Sequence, residues 1–169
     1  GLLTAVLLDQ HPLARLACID PLPLRRSTVE RLTSSSIVHS SSPQENDFDL
    51  VYELTGNPDV LDQAIAAAGF AGRVIIGSWY GEKLASLSLG GEFHRNRIRL
   101  FSSQVSTIDP TLQGRWSKQR RLEAVWRMLA SLDVDALISH RFPIERAAEA
   151  YHLLDKTPQN CLQVLFTYS

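Results

Sequence analysis

The chain has 169 residues and a formal net charge of −1, with 44% hydrophobic and 21% charged residues. That length suits one domain, or one domain with an appended piece, and the composition is that of an ordinary globular protein. The near-neutral balance excludes a protein built mainly to neutralise phosphates, so no nucleic acid is expected as a partner. No apolar run approaches the roughly 20 residues that a membrane span needs, so no membrane partner is expected either. The opening GLLTAVLLDQ has neither a basic flank before it nor a small-residue cleavage site after it. It is therefore not expected to be a secretory leader, and a cytoplasmic location is the expectation. Cys18 and Cys161 sit far apart inside apolar segments. They are expected to be buried thiols in a reducing compartment, and two cysteines without a nearby His or Cys cannot make a structural zinc site.

Taken in chain order, the pattern alternates between helix and strand. Leu2 to Leu8 is helix-like, with apolar residues at most positions, as for a helix packed on a sheet. Leu16-Ala17-Cys18-Ile19 is a short apolar run stopped by Asp20 and Pro21, which predicts a buried strand. A short helix is expected over Ser27 to Leu32, and a weak strand inside the SSSIVHSSS stretch. Asp49 to Leu54 reads as a strand broken by Thr55-Gly56. Asn57 and Pro58 then supply a helix N-cap and a proline at the first helical position. The helix is expected to run to Ala68 and to end at Gly69. Gly72 precedes a strand over Arg73 to Gly77, Leu84 to Leu89 alternates apolar with small polar residues, and Ile98 to Phe101 is another strand. Ser117 to Leu132 is the longest amphipathic helix, with Leu122, Val125, Trp126, Leu129 and Leu132 at helical spacing. A strand (Ala136–Phe142), a helix (Pro143–Lys156) and a strand (Leu162–Thr167) close the chain. Short, continuous apolar strands separated by helices are the mark of a parallel sheet covered on both faces, the doubly wound nucleotide-binding class.

The chemistry sits in a few places. Gly1 runs straight into a helix, and Asp20 closes the next strand 19 positions later. In a dinucleotide fingerprint the last glycine of G-x-G-x-x-G opens the helix, whose N-terminal amides hold the pyrophosphate. An acidic residue about 20 positions on binds the adenosine ribose. Only one of the three glycines is present, so spacing alone leaves two readings open: a cofactor site, or an arbitrary first residue and a strand-ending turn residue.

Five segments in order, DPLPLRR, DLVYELTGNP, GRVIIGSWYG, RLFSSQVS and SHRFPIERAAEAYHLLD, resemble the C-terminal half of medium-chain dehydrogenases of the zinc alcohol, sorbitol and threonine dehydrogenase type. The resemblance covers essentially the whole chain. The ELTGNP turn and the HRFPIERAAEAYHLLD tail are its most specific parts, since no generic nucleotide-binding fold demands them. The resemblance implies an α/β fold: a Rossmann-type doubly wound parallel sheet lacking its first strand, followed by a tail that normally packs on a catalytic domain outside this chain. It implies a truncated NAD(P)-binding domain over 1–133 and a segment over 134–169 that completes a GroES-like catalytic domain. It further implies that Gly1 is the third fingerprint glycine, that Asp20 holds the ribose, and that Arg25 lies against the adenine. Thr55 and Gly56 would border the adenosine and ribose. Gly77, Ser78, Phe101, Ser102 and Ser103 would surround the nicotinamide ribose and carboxamide. All of these positions fall at carboxyl ends of strands, where doubly wound sheets bind ligands.

The implied activity is hydride transfer between a small alcohol or polyol and nicotinamide in the intact parent, with zinc only in the missing catalytic domain. A carboxylate at Asp20 repels the 2′-phosphate of NADP and favours NAD, although Arg25 and Arg26 could accommodate that phosphate. The tail and the GEFHR segment resemble bacteriochlorophyllide-type members, while zinc-independent quinone reductases share the same half-fold. The competing reading is a stand-alone NAD-binding or regulatory module, or an inactive remnant. A homodimer through the sheet edge near Ile98–Phe101 and Leu84–Leu89 is a further expectation. In a sheet of order 3-2-1-4-5-6 the missing first strand is central, so strands 2 and 4 are expected to lose a shared neighbour.

Other features read as structural. His94 has no patterned partner, RWSKQRR opens a solvated helix face, and Trp79-Tyr80 either borders a pocket or anchors a loop. His140 and Arg141 belong to the tail.

Overall fold

The computed structural model describes residues 1–34, 36–41 and 46–168. In chain order these form α1 (Leu2–Asp9), β1 (Leu16–Ile19), α2 (Pro23–Leu32), β2 (Ser36–His39), β3 (Phe48–Glu53), α3 (Leu61–Ala67), β4 (Ala68–Ile76) and β5 (Arg99–Ser102). They continue with α4 (Lys118–Leu129), β6 (Ile138–Pro143), α5 (Ala147–Lys156) and β7 (Gln163–Thr167). Every strand pairing among them is parallel, as continuous apolar strands joined through helices require. The strands fall into three sheets, β1-β2, β3-β4-β5 and β6-β7. Among the described residues β1 is bonded to β2 alone and β3 to β4 alone, so the two strands share no neighbour. The chain divides into two compact units, one of Gly1 with Ser42–Lys118 and one of Leu2–Ser41 with Gln119–Ser169.

The first unit is the sheet β3-β4-β5 with α3 on it. Asn57 accepts a hydrogen bond from the Asp59 N–H at 3.1 Å, and Pro58 opens a 3₁₀ turn that leads into α3, as its cap chemistry predicts. Leu61 and Ile65, one helical turn apart, face Ala68, Val74 and Ile98 in a buried cluster flanked by Val51, Ile76 and Leu100. Each of the larger members contributes about 1.5–3 kcal/mol by burial. The α3–β4 junction differs from expectation. The helix ends at Ala67, and β4 begins at the next residue instead of after Gly72. The pairing with β3 then slips between Phe48 and Leu50, opening a bulge in which Ala71 takes a φ of 58°. Gly69 lies in that bulge, where a Cβ would meet the Asp47 Cα at 2.9 Å. Its role is close backbone approach, not helix termination. Residues 84–88, despite their alternating pattern, form neither strand nor helix.

In the second unit β1 lies in register with β2, from Leu16 opposite Ser36 to Ile19 opposite His39. The short helix expected from Ser27 starts four residues earlier, with Pro23 in its first turn. It buries Thr28 and Val29, and the Thr28 hydroxyl returns a hydrogen bond to the Leu24 carbonyl at 2.7 Å. The C-terminal end of α1 is tied down by Asp9, which accepts hydrogen bonds from the Ser34 N–H and hydroxyl at 2.9 and 3.0 Å. Cys18 is half-buried and Cys161 buried, both as free thiols. Burial pushes the Cys18 thiol above its ordinary range. Strands β6 and β7 pair across α5, which buries Ala150. The amphipathic α4 buries none of its residues, and Trp126 is 63% exposed. No helix among the described residues is long and apolar enough to cross a membrane.

Candidate functional site

The polar residues of interest collect at the carboxyl ends of parallel strands, in a separate group in each unit.

In the second unit the group is built on Asp20, the residue after β1. Its backbone N–H donates to the His39 carbonyl at 3.2 Å, which extends the β1–β2 ladder by one step. One carboxylate oxygen accepts the Leu22 N–H at 2.9 Å, and the other lies 3.5 Å from an Arg25 guanidinium nitrogen. Pro21 and Pro23 force the chain to turn here, and Asp20 closes that turn with its own side chain. Arg26 is used differently: its guanidinium donates to the carbonyls of Asp20 and Pro21 at 2.9 and 2.7 Å. An ionised carboxylate offers about four lone-pair sites. Asp20 gives one to Leu22 and shares a loose contact with Arg25, so it keeps acceptor capacity for two further donors such as a vicinal diol. His39, at the end of β2, holds a buried Nε2 with no hydrogen-bond partner among the described residues.

In the first unit the group is built on Glu53, the last residue of β3, which is only 3% exposed. One of its oxygens accepts both the Thr55 N–H at 2.6 Å and the Thr55 hydroxyl at 2.5 Å, and the other accepts the Tyr80 hydroxyl. Burial works to raise its pKa. The hydrogen bonds from Thr55 and Tyr80 outweigh that and hold the carboxyl below the usual glutamate range. Burial and the adjoining carboxylate push the Tyr80 phenol above its usual range. Thr55 and Gly56 form the turn after β3. The Gly56 N–H donates to the Ser78 hydroxyl at 2.9 Å, and Lys83 donates to the Gly56 carbonyl at 3.2 Å. Gly56 has a φ of 74°, a left-handed conformation that side chains rarely adopt, and a Cβ there would project into open space. Gly77 donates to the Glu53 carbonyl at 3.0 Å and so extends the β3–β4 ladder; Ser103 does the same for β4–β5 by donating to the Ile76 carbonyl at 2.8 Å.

The sequence-predicted residues are thus brought together in two sets. Thr55, Gly56, Gly77 and Ser78 share the ends of β3 and β4, with exposed Phe101, Ser102 and Ser103 at the end of β5. Asp20 and Arg25 share the end of β1. Gly1 lies exposed ahead of α1. Glu53 and Tyr80 are central to their group, yet sequence reasoning missed Glu53. The available signal was a carboxylate closing an apolar strand two residues before Thr55. Trp79 is 91% exposed, so Tyr80 is the loop's anchor. His94 is exposed, and Arg141 pairs with Asp135 at 3.0 Å on the tail. Among the described residues no group of three or more His, Cys, Asp or Glu is placed to hold a metal ion.

The profile of the zinc-binding dehydrogenase family matches residues 27–159. The chain belongs to that family. A curated relative in Rhodobacter capsulatus, 2-desacetyl-2-hydroxyethyl bacteriochlorophyllide A dehydrogenase, is 22% identical over 133 residues, covering 78% of this chain and 38% of the relative. An alcohol dehydrogenase of Escherichia coli CFT073, solved in complex with NADH, superimposes with a TM-score of 0.71 at 16% identity, over 95% of this chain and 46% of its own. A zinc-binding dehydrogenase of Sinorhizobium meliloti, solved with NADP, gives 0.68 at 19% identity, over 89% and 44%. At these identities the structural likeness establishes the fold alone, a Rossmann-like α/β fold with parallel sheets. The chain spans less than half the length of each of these relatives.

Proposed function

We propose that the chain is the dinucleotide-binding portion of an NAD-dependent dehydrogenase acting on a small alcohol or polyol. Residues 1–133 belong to the nucleotide-binding domain, and 134–169 form the segment that returns to the catalytic domain. The observation that carries this reading is Asp20: a carboxylate at the carboxyl end of a parallel strand, held in place by the Leu22 N–H, with acceptor capacity left for both hydroxyls of a ribose. Thr55, Gly56, Gly77 and Ser78 support it by lying at the ends of β3 and β4, and Ser102 and Ser103 by lying at the end of β5, where this class of sheet takes its ligand.

The Asp20 carboxylate, with its open acceptor sites, suits the ribose of a nicotinamide dinucleotide. Asp20 would hold the adenosine ribose and Arg25 would lie beside the adenine. Gly1 would open the helix nearest the pyrophosphate, and Phe101 to Ser103 would border the nicotinamide end. When bound, the nicotinamide supplies a hydride acceptor; the protein supplies orientation. NAD is favoured because the Asp20 carboxylate repels a 2′-phosphate, and the NADH-bound and NADP-bound relatives show that both cofactors occur on this fold. Zinc does not fit the described residues, which offer no ligand set, so no step here depends on it. Calorimetric titration of the chain with NAD and, separately, NADP tests the reading. NAD binding that is lost in Asp20→Ala supports it, and the absence of binding to either dinucleotide overturns it.

A further inference from the structure

The Thr55–Gly56 turn is expected to touch the dinucleotide, yet its hydrogen-bond donors are occupied by the protein itself. The Thr55 N–H and hydroxyl go to Glu53, the Gly56 N–H goes to Ser78, and the Gly56 carbonyl accepts from Lys83. The Thr55 hydroxyl also accepts the Asn57 N–H at 3.0 Å. With its donors committed, the turn offers outward the Cα face of Gly56, with open space where a Cβ would be. Such a face receives the flat side of a ring by van der Waals contact, not by donating hydrogen bonds.

Glu53 is an expensive way to end a strand. A buried carboxylate loses its hydration and persists only when hydrogen bonds replace it. A lone turn needs one acceptor, but here the two oxygens are divided between two loops: one takes Thr55 after β3, the other takes Tyr80 after β4. We propose that Glu53 and Tyr80 are positioning residues, a buried carboxylate–phenol clamp that locks the two loops together and presents the bare Gly56 face to a ring of the bound dinucleotide. This rests on the dinucleotide reading given above.

The test uses the full chain labelled with nitrogen-15. Tyr80→Phe removes one hydroxyl and keeps the ring. It is expected to raise the Kd for NAD about tenfold, as when the unclamped turn holds its binding position about a tenth of the time. Amide exchange at Thr55 and Gly56 is expected to quicken by a similar factor, while the β4 amides of Val74 and Ile75 stay unchanged. Glu82→Gln, an exposed carboxylate on the same loop, is expected to change neither quantity. Thr55→Val is a second probe that should reproduce the loss, and Thr55→Ser should restore binding. If Tyr80→Phe binds NAD as the unaltered chain does, the clamp proposal falls and the dinucleotide reading stands. If exchange quickens uniformly across β3, β4 and β5, the pair is merely structural and the proposal falls. If the unaltered chain binds neither NAD nor NADP, the dinucleotide reading fails and takes this inference with it, a failure visible before any variant is made.

Discussion

Asp20 and Glu53 are both carboxylates at the carboxyl end of a parallel strand, and they are treated in opposite ways. Asp20 is partly exposed and makes one short hydrogen bond and one loose ion pair. Glu53 is buried, and its two oxygens accept three hydrogen bonds from groups on two loops. The first keeps acceptor capacity on a partly exposed carboxylate; the second already accepts three hydrogen bonds and is only 3% exposed, out of a ligand's reach. Position at a strand end therefore does not by itself make a carboxylate a ligand-binding group, and exposure together with the hydrogen bonds already accepted separates the two roles.

The sharpest way to break the comparison is to remove each carboxylate and ask which property fails. Glu53→Ala strips the acceptor from the Thr55 N–H and hydroxyl and from the Tyr80 hydroxyl. It should cost about 3 kcal/mol of stability, read as a lowered denaturant midpoint, since buried donors left without a partner carry their full desolvation cost. Asp20→Ala should cost less than about 1 kcal/mol by the same measurement, because its partners are the Leu22 N–H and a solvent-screened arginine. The order should reverse for binding. Loss of two charge-assisted hydrogen bonds to a ribose should weaken NAD about 100-fold in Asp20→Ala. Equal stability losses for the two variants would dissolve the distinction.

Much of the fold was legible because strand ends are punctuated. Asp20-Pro21, Thr55-Gly56 and Asn57-Pro58 mark where strands stop and a helix is capped, and all three act in the structure as those residue types act in general. The bulge at Gly69 was not legible, because a glycine between a helix and a strand looks like a helix stop. Its actual reason is the approach of the Asp47 backbone, a contact distant in sequence. The grouping of strands into three sheets was also hidden, since apolar runs reveal that a strand is buried but not which strand lies beside it. In α4 the spacing of Leu122, Val125, Trp126 and Leu129 identifies an apolar face, yet none of these residues is buried. Periodicity reports which face is apolar and is silent on what covers it. Among the site residues, Asp20 stood out through its distance from Gly1, whereas Glu53 sat inside a strand and only its partners Thr55 and Tyr80 give it meaning.

Acid and alkali should sharpen the comparison further, with a smaller effect. The Glu53 pKa is lowered in the folded chain, so its contribution to stability is full above the ordinary glutamate range and is lost as pH falls through the folded value. The Tyr80 pKa is raised, so its contribution is full below about 10, the ordinary tyrosine value, and is lost as pH rises beyond it. Stability measured across pH should therefore decline on both sides. Glu53→Gln should flatten the acid limb, and Tyr80→Phe the alkaline one. An acid limb unchanged in Glu53→Gln would mean that other carboxylates carry it.

The smallest effect concerns the two arginines beside Asp20, which the sequence presents as equivalent and the structure does not. Arg26 is spent on the carbonyls of Asp20 and Pro21, where it ties the turn to α2. Arg25 lies 3.5 Å from the Asp20 carboxylate with 41% of its side chain exposed. A screened contact of this kind is worth about 0.5 kcal/mol, little enough that the guanidinium can swing to another anion. Any tolerance of a 2′-phosphate should then come through Arg25. Arg25→Gln is expected to leave stability and NAD affinity nearly unchanged and to lower the ratio of NADP to NAD affinity about twofold, which is that same energy expressed as a ratio. Competition titrations of the two dinucleotides would read the ratio directly. An unchanged ratio would mean that the Asp20 carboxylate alone sets cofactor preference, with no arginine offsetting its charge.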